Sequence, residues 1–377
     1  MKQTTMQDNN LPTPYPRRAL RRYTLRTVAR AILPLLTRTQ ITGRENFPEG
    51  GPLLVVGNHI AAMEAVLMVV YAPWQIELLG AGDIPPPPAM HAIAMFYGYT
   101  PINRGNADRA PLLKTLGLLK QGGIVGVFPE GGIWDTGDKP AKRGVAWLSY
   151  HANAPILPIG FGGVEGALNK LFRLKRPRLW MNIGTRMPPV TLTPGKSRKA
   201  CLQQAAAEVM QAVNSLIPDE GRVGRPEIHD ERFELHIDIR DADGAVVPCP
   251  PGLEITHADA LCKMLYRPAI LRIFGKDLRL PVEALQRLDS EHDPAEIASA
   301  IRLVLDYVKD QNPGFFPYRF GHAEGLAMEA GLHELQAVAA HAADSGHRLY
   351  IVPIRHYYSP EQGKEVTEHN PGQSHLW

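Results

Sequence analysis

Leu53-Leu-Val-Val-Gly-Asn-His59 is a short apolar run that stops at a glycine and hands over to two polar residues. Four consecutive aliphatic residues bounded by a turn signal read as a strand buried on both faces. The chain on either side of it alternates. Residues 60–71 read as a helix, Ile76–Leu79 as a strand, and residues 84–88 (IPPPP) as loop or polyproline II. Residues 109–121 read as a helix closed by Gly122-Gly123, and Ile124–Phe128 as a second buried strand running into Pro129 and a Gly-rich turn. A helix over 141–152, strands over 156–160 and 179–183, and a helix over 197–216 complete the pattern. Such alternation predicts an α/β domain over residues 40–217, with a central, mostly parallel sheet flanked by helices. Ligands of such sheets sit off the carboxyl ends of the strands.

Residues 218–230 (PDEGRVGRPEIHD) read as a linker, and residues 231–377 as a C-terminal α+β domain. In that domain Phe233–Arg240 alternates apolar and polar residues with period two and meets the turn Asp241-Ala-Asp-Gly244. Asp293-Pro-Ala-Glu296 opens a helix running to about residue 310, with Pro at its first position and Glu at its third. A second helix covers 322–344, and Leu349–His356 reads as a strand. No motif here carries obvious chemistry.

The 377 residues have a formal net charge of +3, which conceals an asymmetry. Residues 1–220 hold 25 Lys and Arg against 14 Asp and Glu, and residues 221–377 hold 16 against 24, so +11 faces −8. The first half therefore suits an anionic partner. Seven arginines lie within residues 17–38, among Leu20, Tyr23, Leu25, Val28, Ile32 and Leu35 at roughly helical spacing. With the preceding tail they form a segment, 1–39, that reads as a basic amphipathic helix on a membrane surface, or as a helix packed on the domain with a solvated basic face. Pro34 is expected to kink or end it. Nucleic acid is not the expected partner, because no aromatic stacking platforms interleave with these arginines. Three cysteines without a Cys-x-x-Cys fit neither a disulfide framework nor a zinc site and point to a reducing compartment. No stretch reaches 18 uncharged apolar residues, and no secretory signal opens the chain.

Four short blocks stand out. The first is Gly57-Asn58-His59 with Glu64 five residues on. On one continuous helix that spacing puts the side chains about 140° apart. With His59 in the preceding turn and Glu64 in the first helical turns, the carboxylate can instead reach back to the imidazole. The others are Pro101-Ile-Asn-Arg104, Phe128-Pro-Glu-Gly-Gly132 and Pro155-Ile-Leu-Pro158. Taken singly, each has an ordinary structural reading: a turn histidine, a surface arginine, a strand exit, a core strand.

In this order the four blocks resemble those of the glycerolipid acyltransferases of the lysophosphatidate acyltransferase type, over residues 40–215. Lys142-Arg143-Gly144 is similar to the basic-Gly step after that family's third block. The resemblance implies an O-acyltransferase that works at the cytoplasmic face of a membrane as a peripheral protein. It moves a fatty acyl group from acyl-CoA or acyl-carrier protein to a hydroxyl of a lyso-glycerophospholipid, best of all 1-acylglycerol-3-phosphate. His59 is then the general base and Glu64 its orienting partner. Asn58, Arg104, Glu130, Gly131, Gly132, Lys142 and Arg143 are expected among the acceptor contacts, and Pro158 on the acyl-donor side. No metal or prosthetic group is implied. Alternatives are a lipid-binding module of the same fold without catalysis and an acyltransferase for a non-phosphate hydroxyl. The chain departs from the family in having Glu64 for the usual Asp, Gly80-Ala81-Gly82 where a Lys is common, and Gly132-Ile133 where Thr-Arg is common. Two phosphate-gripping cations are thus absent from their usual places, leaving Arg104, Lys142 and Arg143 to compensate.

Overall fold

Two sheets organise the chain, and the first grows around Leu53–Gly57. The computed structural model describes residues 14–86, 88–104, 109–131, 142–222, 228–286, 291–369 and 371. In chain order the first half comprises α1 (Ala19–Leu36), β1 (Arg38–Thr42), β2 (Leu53–Gly57), α2 (Met63–Tyr71), β3 (Glu77–Ala81), α3 (Pro88–Tyr97), β4 (Thr100–Ile102), α4 (Ala110–Lys120), β5 (Ile124–Val127), α5 (Gly144–Ala152), β6 (Ile156–Gly162), α6 (Ala167–Phe172), β7 (Arg178–Ile183) and α7 (Arg198–Ser215). The seven strands lie in the order β1-β7-β6-β2-β5-β3-β4. Every neighbouring pair is parallel except β6 with β7. β2 is central and wholly buried because its alternate side chains feed two cores. Leu53 and Val55 pack with Leu33, Met63, Leu67 and Met68 on the α1–α2 face. Leu54 and Val56 pack with Leu118, Val145, Leu148, Val209 and Val213 on the α4–α5–α7 face. That double burial is why the strand reads as a continuous apolar run rather than an alternating one.

The segment 17–38 forms the expected helix, but part of its basic face turns inward. Arg22 is completely buried, and its guanidinium meets the equally buried carboxylate of Glu77, which also takes Nη2 of Arg17 at 2.8 Å. Burial alone would raise the Glu77 pKa, but hydrogen bonds from Arg22 and Arg17 hold it below the usual carboxylate range. Arg18, Arg22, Arg26 and Arg30 cap the carboxyl ends of two helices, where backbone carbonyls lack intrahelical donors. Arg26 and Arg30 donate to Val69, Val70 and Ala72 at the end of α2. Arg18 and Arg22 donate to Met95, Tyr97 and Gly98 at the end of α3. The positive charges also oppose the negative ends of those helix dipoles. Leu20, Tyr23, Val28, Ile32 and Leu35 of α1 are exposed, together with Arg21 and Arg30. The basic face is thus divided: Arg22 and Arg26 are buried, while Arg18, Arg21, Arg30 and Arg38 stay exposed. Pro34 lies inside α1, two residues before its end.

The C-terminal half comprises β8 (His229–Arg240), β9 (Val246–Val247), α8 (Ala258–Leu265), α9 (Pro268–Arg272), β10 (Glu291–His292), α10 (Pro294–Gln311), α11 (Phe315–Phe320), α12 (His322–Asp344), β11 (Arg348–Ser359) and β12 (Lys364–Glu368). β10, β11, β8 and β9 form an antiparallel sheet, with β12 also on β11. Asp241 Oδ1 accepts the N–H groups of Asp243 and Ala245 in the predicted turn, and Asp293 caps α10 through Ala295 N–H. The apolar faces of α8, α10 and α12 share one core with Ile239, Leu349 and Ile351 of the sheet. Of the expected linker 218–230, residues 223–227 lie outside the described residues. Asp219–Gly221 form a 3₁₀ turn against β6, where a Cβ on Gly221 would lie 2.8 Å from Gly162 Cα, and β8 already begins at His229. All three cysteines are free, and no helix is long and apolar enough to cross a membrane among the described residues.

Removing Glu77 leaves the Arg22 charge sealed without a counter-ion. Glu77→Ala is expected to lower the free energy of unfolding by about 3–5 kcal/mol, read from urea denaturation. A loss under about 1 kcal/mol, the size of an exposed pair, would contradict this role.

Candidate active site

The loops after four adjacent parallel strands meet. β2 is followed by His59, β3 by Asp83, β4 by Arg104, and β5 by Glu130 and Gly131. The backbone N–H of His59 donates to Glu130 Oε1 at 3.2 Å, while Arg104 donates to Asp83 Oδ1 at 2.8 Å and to the carbonyl of Gly131 at 3.0 Å. Three of the sequence blocks thus come together.

The His59 ring stacks on Phe128 with centroids 4.4 Å apart and planes 19° from parallel. Its Nδ1 is buried without a hydrogen-bond partner. Burial, reinforced by the nearby Arg104 charge, pushes its pKa down to about 4, so the imidazole is neutral at physiological pH. Glu64, in the first turn of α2, is fully buried. Its Oε1 accepts the N–H of Ala61 at 2.7 Å and that of Ile60. Ala62, at the N-cap of α2, offers no side-chain acceptor, and Glu64 satisfies the free amides in its place. Burial pushes the Glu64 pKa up to about 8, against the pull of those amides. Burial thus favours the neutral carboxyl, and its Oε2 is buried without a hydrogen-bond partner among the described residues. The anticipated hydrogen bond from Glu64 to the imidazole is not made. The carboxyl instead braces the 60–61 turn that follows His59.

Asn58, expected among the substrate contacts, is buried and committed to the fold. Its Nδ2 donates to the Phe161 carbonyl at 3.0 Å, and its Oδ1 accepts the Phe161 N–H at 2.8 Å. This reciprocal pair ties the end of β2 to β6. Pro158 is likewise a core residue, opposite Val56 in the β2–β6 register. Its carbonyl accepts Gly184 N–H, and it does not line the cavity described below. Arg143 is exposed just before α5, with no contact to the cluster among the described residues. Gly132 lies outside the described residues.

The C-terminal domain reaches this site, which its sequence did not announce. Tyr307 Oη donates to the Asp83 carbonyl at 2.9 Å, Asn312 Nδ2 to Asp83 Oδ2 at 3.3 Å, and Arg319 Nη2 lies 3.4 Å from the same oxygen. Tyr318 Oη donates to the Gly131 carbonyl at 3.3 Å. Lys142 Nζ lies 4.3 Å over the Tyr318 ring and donates to the Tyr318 carbonyl at 3.3 Å. The approach is close. Gly131 has φ +75°, and a Cβ there would sit 2.1 Å from Tyr318 Oη.

His59, Phe128 and Arg104 line a cavity of about 470 Å³, within the size range of ligand sites. Its walls are mainly apolar: Leu25 and Leu33 from α1, Met63 and Val66 from α2, Ile93 from α3, and Phe172 from α6. Ala269, Arg272, Ile273, Asp277 and Arg319 of the C-terminal domain also line it. Among the described residues, no group of His, Cys, Asp and Glu is arranged to hold a metal ion.

The family model described as Acyltransferase matches residues 38–162, the segment that holds β1 to β6. A 1-acyl-sn-glycerol-3-phosphate acyltransferase of Bacillus subtilis (strain 168) is 23% identical over 177 residues, 47% of this chain and 88% of that protein. The protein of the same name from Borreliella burgdorferi is 26% identical over 122 residues, 32% of this chain and 49% of that protein. The crystal structure of the 1-acyl-sn-glycerophosphate (LPA) acyltransferase PlsC from Thermotoga maritima aligns with a TM-score of 0.39 at 19% identity, covering 54% of this chain and 83% of that one. The matched segment is the one that brings His59, Arg104 and Glu130 together, and over residues 38–162 the chain carries an acyltransferase domain similar to those of the 1-acyl-sn-glycerol-3-phosphate acyltransferases.

Proposed function

We propose that the protein transfers a fatty acyl group from an acyl thioester, acyl-CoA or acyl-carrier protein, to the free hydroxyl of a lyso-glycerophospholipid, with 1-acylglycerol-3-phosphate as acceptor. The observation that carries this reading is a neutral histidine lining an apolar cavity beside Arg104, which is paired with Asp83. Nδ1 is sealed within the protein, so Nε2 is the nitrogen left to meet substrate. His59 takes the proton of the acceptor hydroxyl as the oxygen attacks the thioester carbonyl. The carbon–sulfur bond then breaks, and the leaving thiolate recovers that proton from the imidazolium. An ester and a free thiol result. Stacking on Phe128 and the hydrogen bond from the His59 amide to Glu130 fix the base, and Glu64 positions it through the turn. The cavity takes acyl chain, each buried methylene being worth about 0.8 kcal/mol. Two relatives named 1-acyl-sn-glycerol-3-phosphate acyltransferase support the choice of acceptor.

The same reading places the protein on the cytoplasmic surface of a membrane as a peripheral protein. Leu20, Tyr23, Ile32 and Leu35 of α1, Ile93, Met95 and Phe96 of α3, and Phe172 and Leu174 are all exposed. Ile93 and Phe172 also line the cavity, so exposed apolar side chains reach its rim. Because Arg22, Arg26 and Arg30 of α1 bond to the protein's own groups, contact with lipid rests more on apolar insertion than on charge.

His59→Ala is expected to lower kcat by about 10²–10⁴-fold with labelled acyl-CoA and lysophosphatidate, the usual contribution of a general base. Turnover like that of the wild type would remove the proposed chemistry. Because folding lowers the His59 pKa from the unperturbed value of 6.5 to about 4, the base remains ready as pH falls, and the acid limb of kcat/KM is expected near pH 4. An acid limb at or above about pH 6.5, the ordinary histidine value, would contradict the neutral base. In vesicle flotation, binding is expected to survive high salt and to be lost in a Leu20→Asp, Leu35→Asp variant. Binding that salt abolishes would point to charge-driven docking instead.

A further inference from the structure

The acyltransferase half lacks basic residues at two places where its family commonly carries them, yet another arginine stands at its site. It comes from the other half of the chain. Arg319 belongs to α11, and its side chain is 1% exposed. The guanidinium stacks 3.7 Å over the Phe315 ring and donates Nη1 to the Phe315 carbonyl at 3.0 Å, which fixes its direction. It lines the same cavity as His59 and Arg104. Asp83 lies between the two arginines, with Oδ1 2.8 Å from Arg104 and Oδ2 3.4 Å from Arg319.

We propose that Arg319 is an acceptor-binding residue supplied by the C-terminal domain, forming with Arg104 a two-guanidinium cradle for the phosphate of the acyl acceptor. This deepens the function proposed above and rests on it for the identity of the acceptor. The charge inventory favours an anion here. Arg104, Arg319 and Lys142 bring three positive charges to the cluster, against the carboxylates of Asp83 and Glu130. The cations also feel one another. After burial, Arg104 is the largest cause lowering the Arg319 pKa, to about 10, and Arg319 is the corresponding cause for Lys142. A phosphate dianion relieves that repulsion and suits two planar forks, each able to donate in bidentate fashion. Asp83 preorganises the pair before the acceptor arrives. The longer contact to Arg319 is the easier one to exchange for a phosphate oxygen. Tyr307 and Tyr318 hold the α11 region against Asp83 and Gly131, so the cradle exists only while the two halves are docked. Cations expected from one stretch of sequence are on this account replaced by one from a separate domain.

The full chain, wild type and Arg319→Gln, is titrated with sn-glycerol 3-phosphate by calorimetry and assayed with lysophosphatidate and with monoacylglycerol as acceptors. Binding of glycerol 3-phosphate by the wild type, weakened about 10-fold or more in R319Q, is the expected result, as for loss of a hydrogen bond to a charged group. With lysophosphatidate, KM rises by a similar factor while kcat and the KM for acyl-CoA hold, and turnover with monoacylglycerol is unaffected. Affinity for glycerol 3-phosphate unchanged within about twofold in R319Q, or absent in the wild type, overturns the proposal, since such a change is far below a lost charged hydrogen bond. If R319Q does not fold by circular dichroism, Arg319→Lys, which keeps the charge but loses the fork, decides: weaker binding supports the cradle and unchanged binding overturns it. A wild type that binds glycerol 3-phosphate but acylates neither acceptor removes the proposed function and leaves the anion site standing.

Discussion

Backbone carbonyls at the ends of α2 and α3 lie beneath α1 and need donors that the helices cannot supply themselves. Arginines of α1 meet that need, and Glu77 balances the most deeply buried of them. This arrangement fixes which way α1 faces. With the Arg22 and Arg26 guanidinium groups turned inward, Leu25 and Leu33 close one side of the cavity, and Leu20, Tyr23, Ile32 and Leu35 face outward. A shift of α1 by one helical position would leave buried charges and orphan carbonyls together, so alternative packings are strongly disfavoured. The cavity wall and the apolar outer surface are two consequences of one set of hydrogen bonds.

A second buried charge joins the halves of the chain. Asp83 at the end of β3 is met by Arg104 from its own sheet and by Arg319, Asn312 and Tyr307 from the C-terminal domain. Charge complementarity between a half at +11 and a half at −8 is the coarse view of such docking. The fine view is different, because at the site itself the acidic half contributes a cation. The C-terminal domain therefore forms part of the wall of the cavity that His59 and Arg104 line.

What the sequence made legible follows physical range. Leu53–Gly57 and Ile124–Val127 were readable because a strand buried on both faces must be apolar throughout, and the blocks after them were readable because parallel sheets present their loops at one end. The residues that follow β2, β4 and β5 were accordingly found: His59, Arg104, Glu130 and Gly131. The orientation of α1 was not, since Arg and Leu both recur there at helical spacing and either face could turn inward. Asn58 and Pro158 both sit in the blocks, but Asn58 ties the end of β2 to β6 and Pro158 is a core residue of β6 whose carbonyl accepts Gly184 N–H. Asp83 sits beside a proline run that drew attention to itself as loop. Arg319 is 236 residues away from Asp83 along the chain, and no local pattern reports a pairing of that span. The Glu64 carboxyl went to the backbone because the start of α2 has no other side-chain cap, a competition invisible without coordinates.

The proposed function centres on a half-buried, neutral imidazole that takes the acceptor's proton while the acyl group passes from sulfur to oxygen beside an apolar cavity. The most direct measurement is mass-spectrometric analysis of the wild-type protein incubated with acyl-CoA and lysophosphatidate, with both products quantified. The account predicts phosphatidate and free CoA thiol in equal amounts. Thiol release without phosphatidate, or neither product, would contradict it.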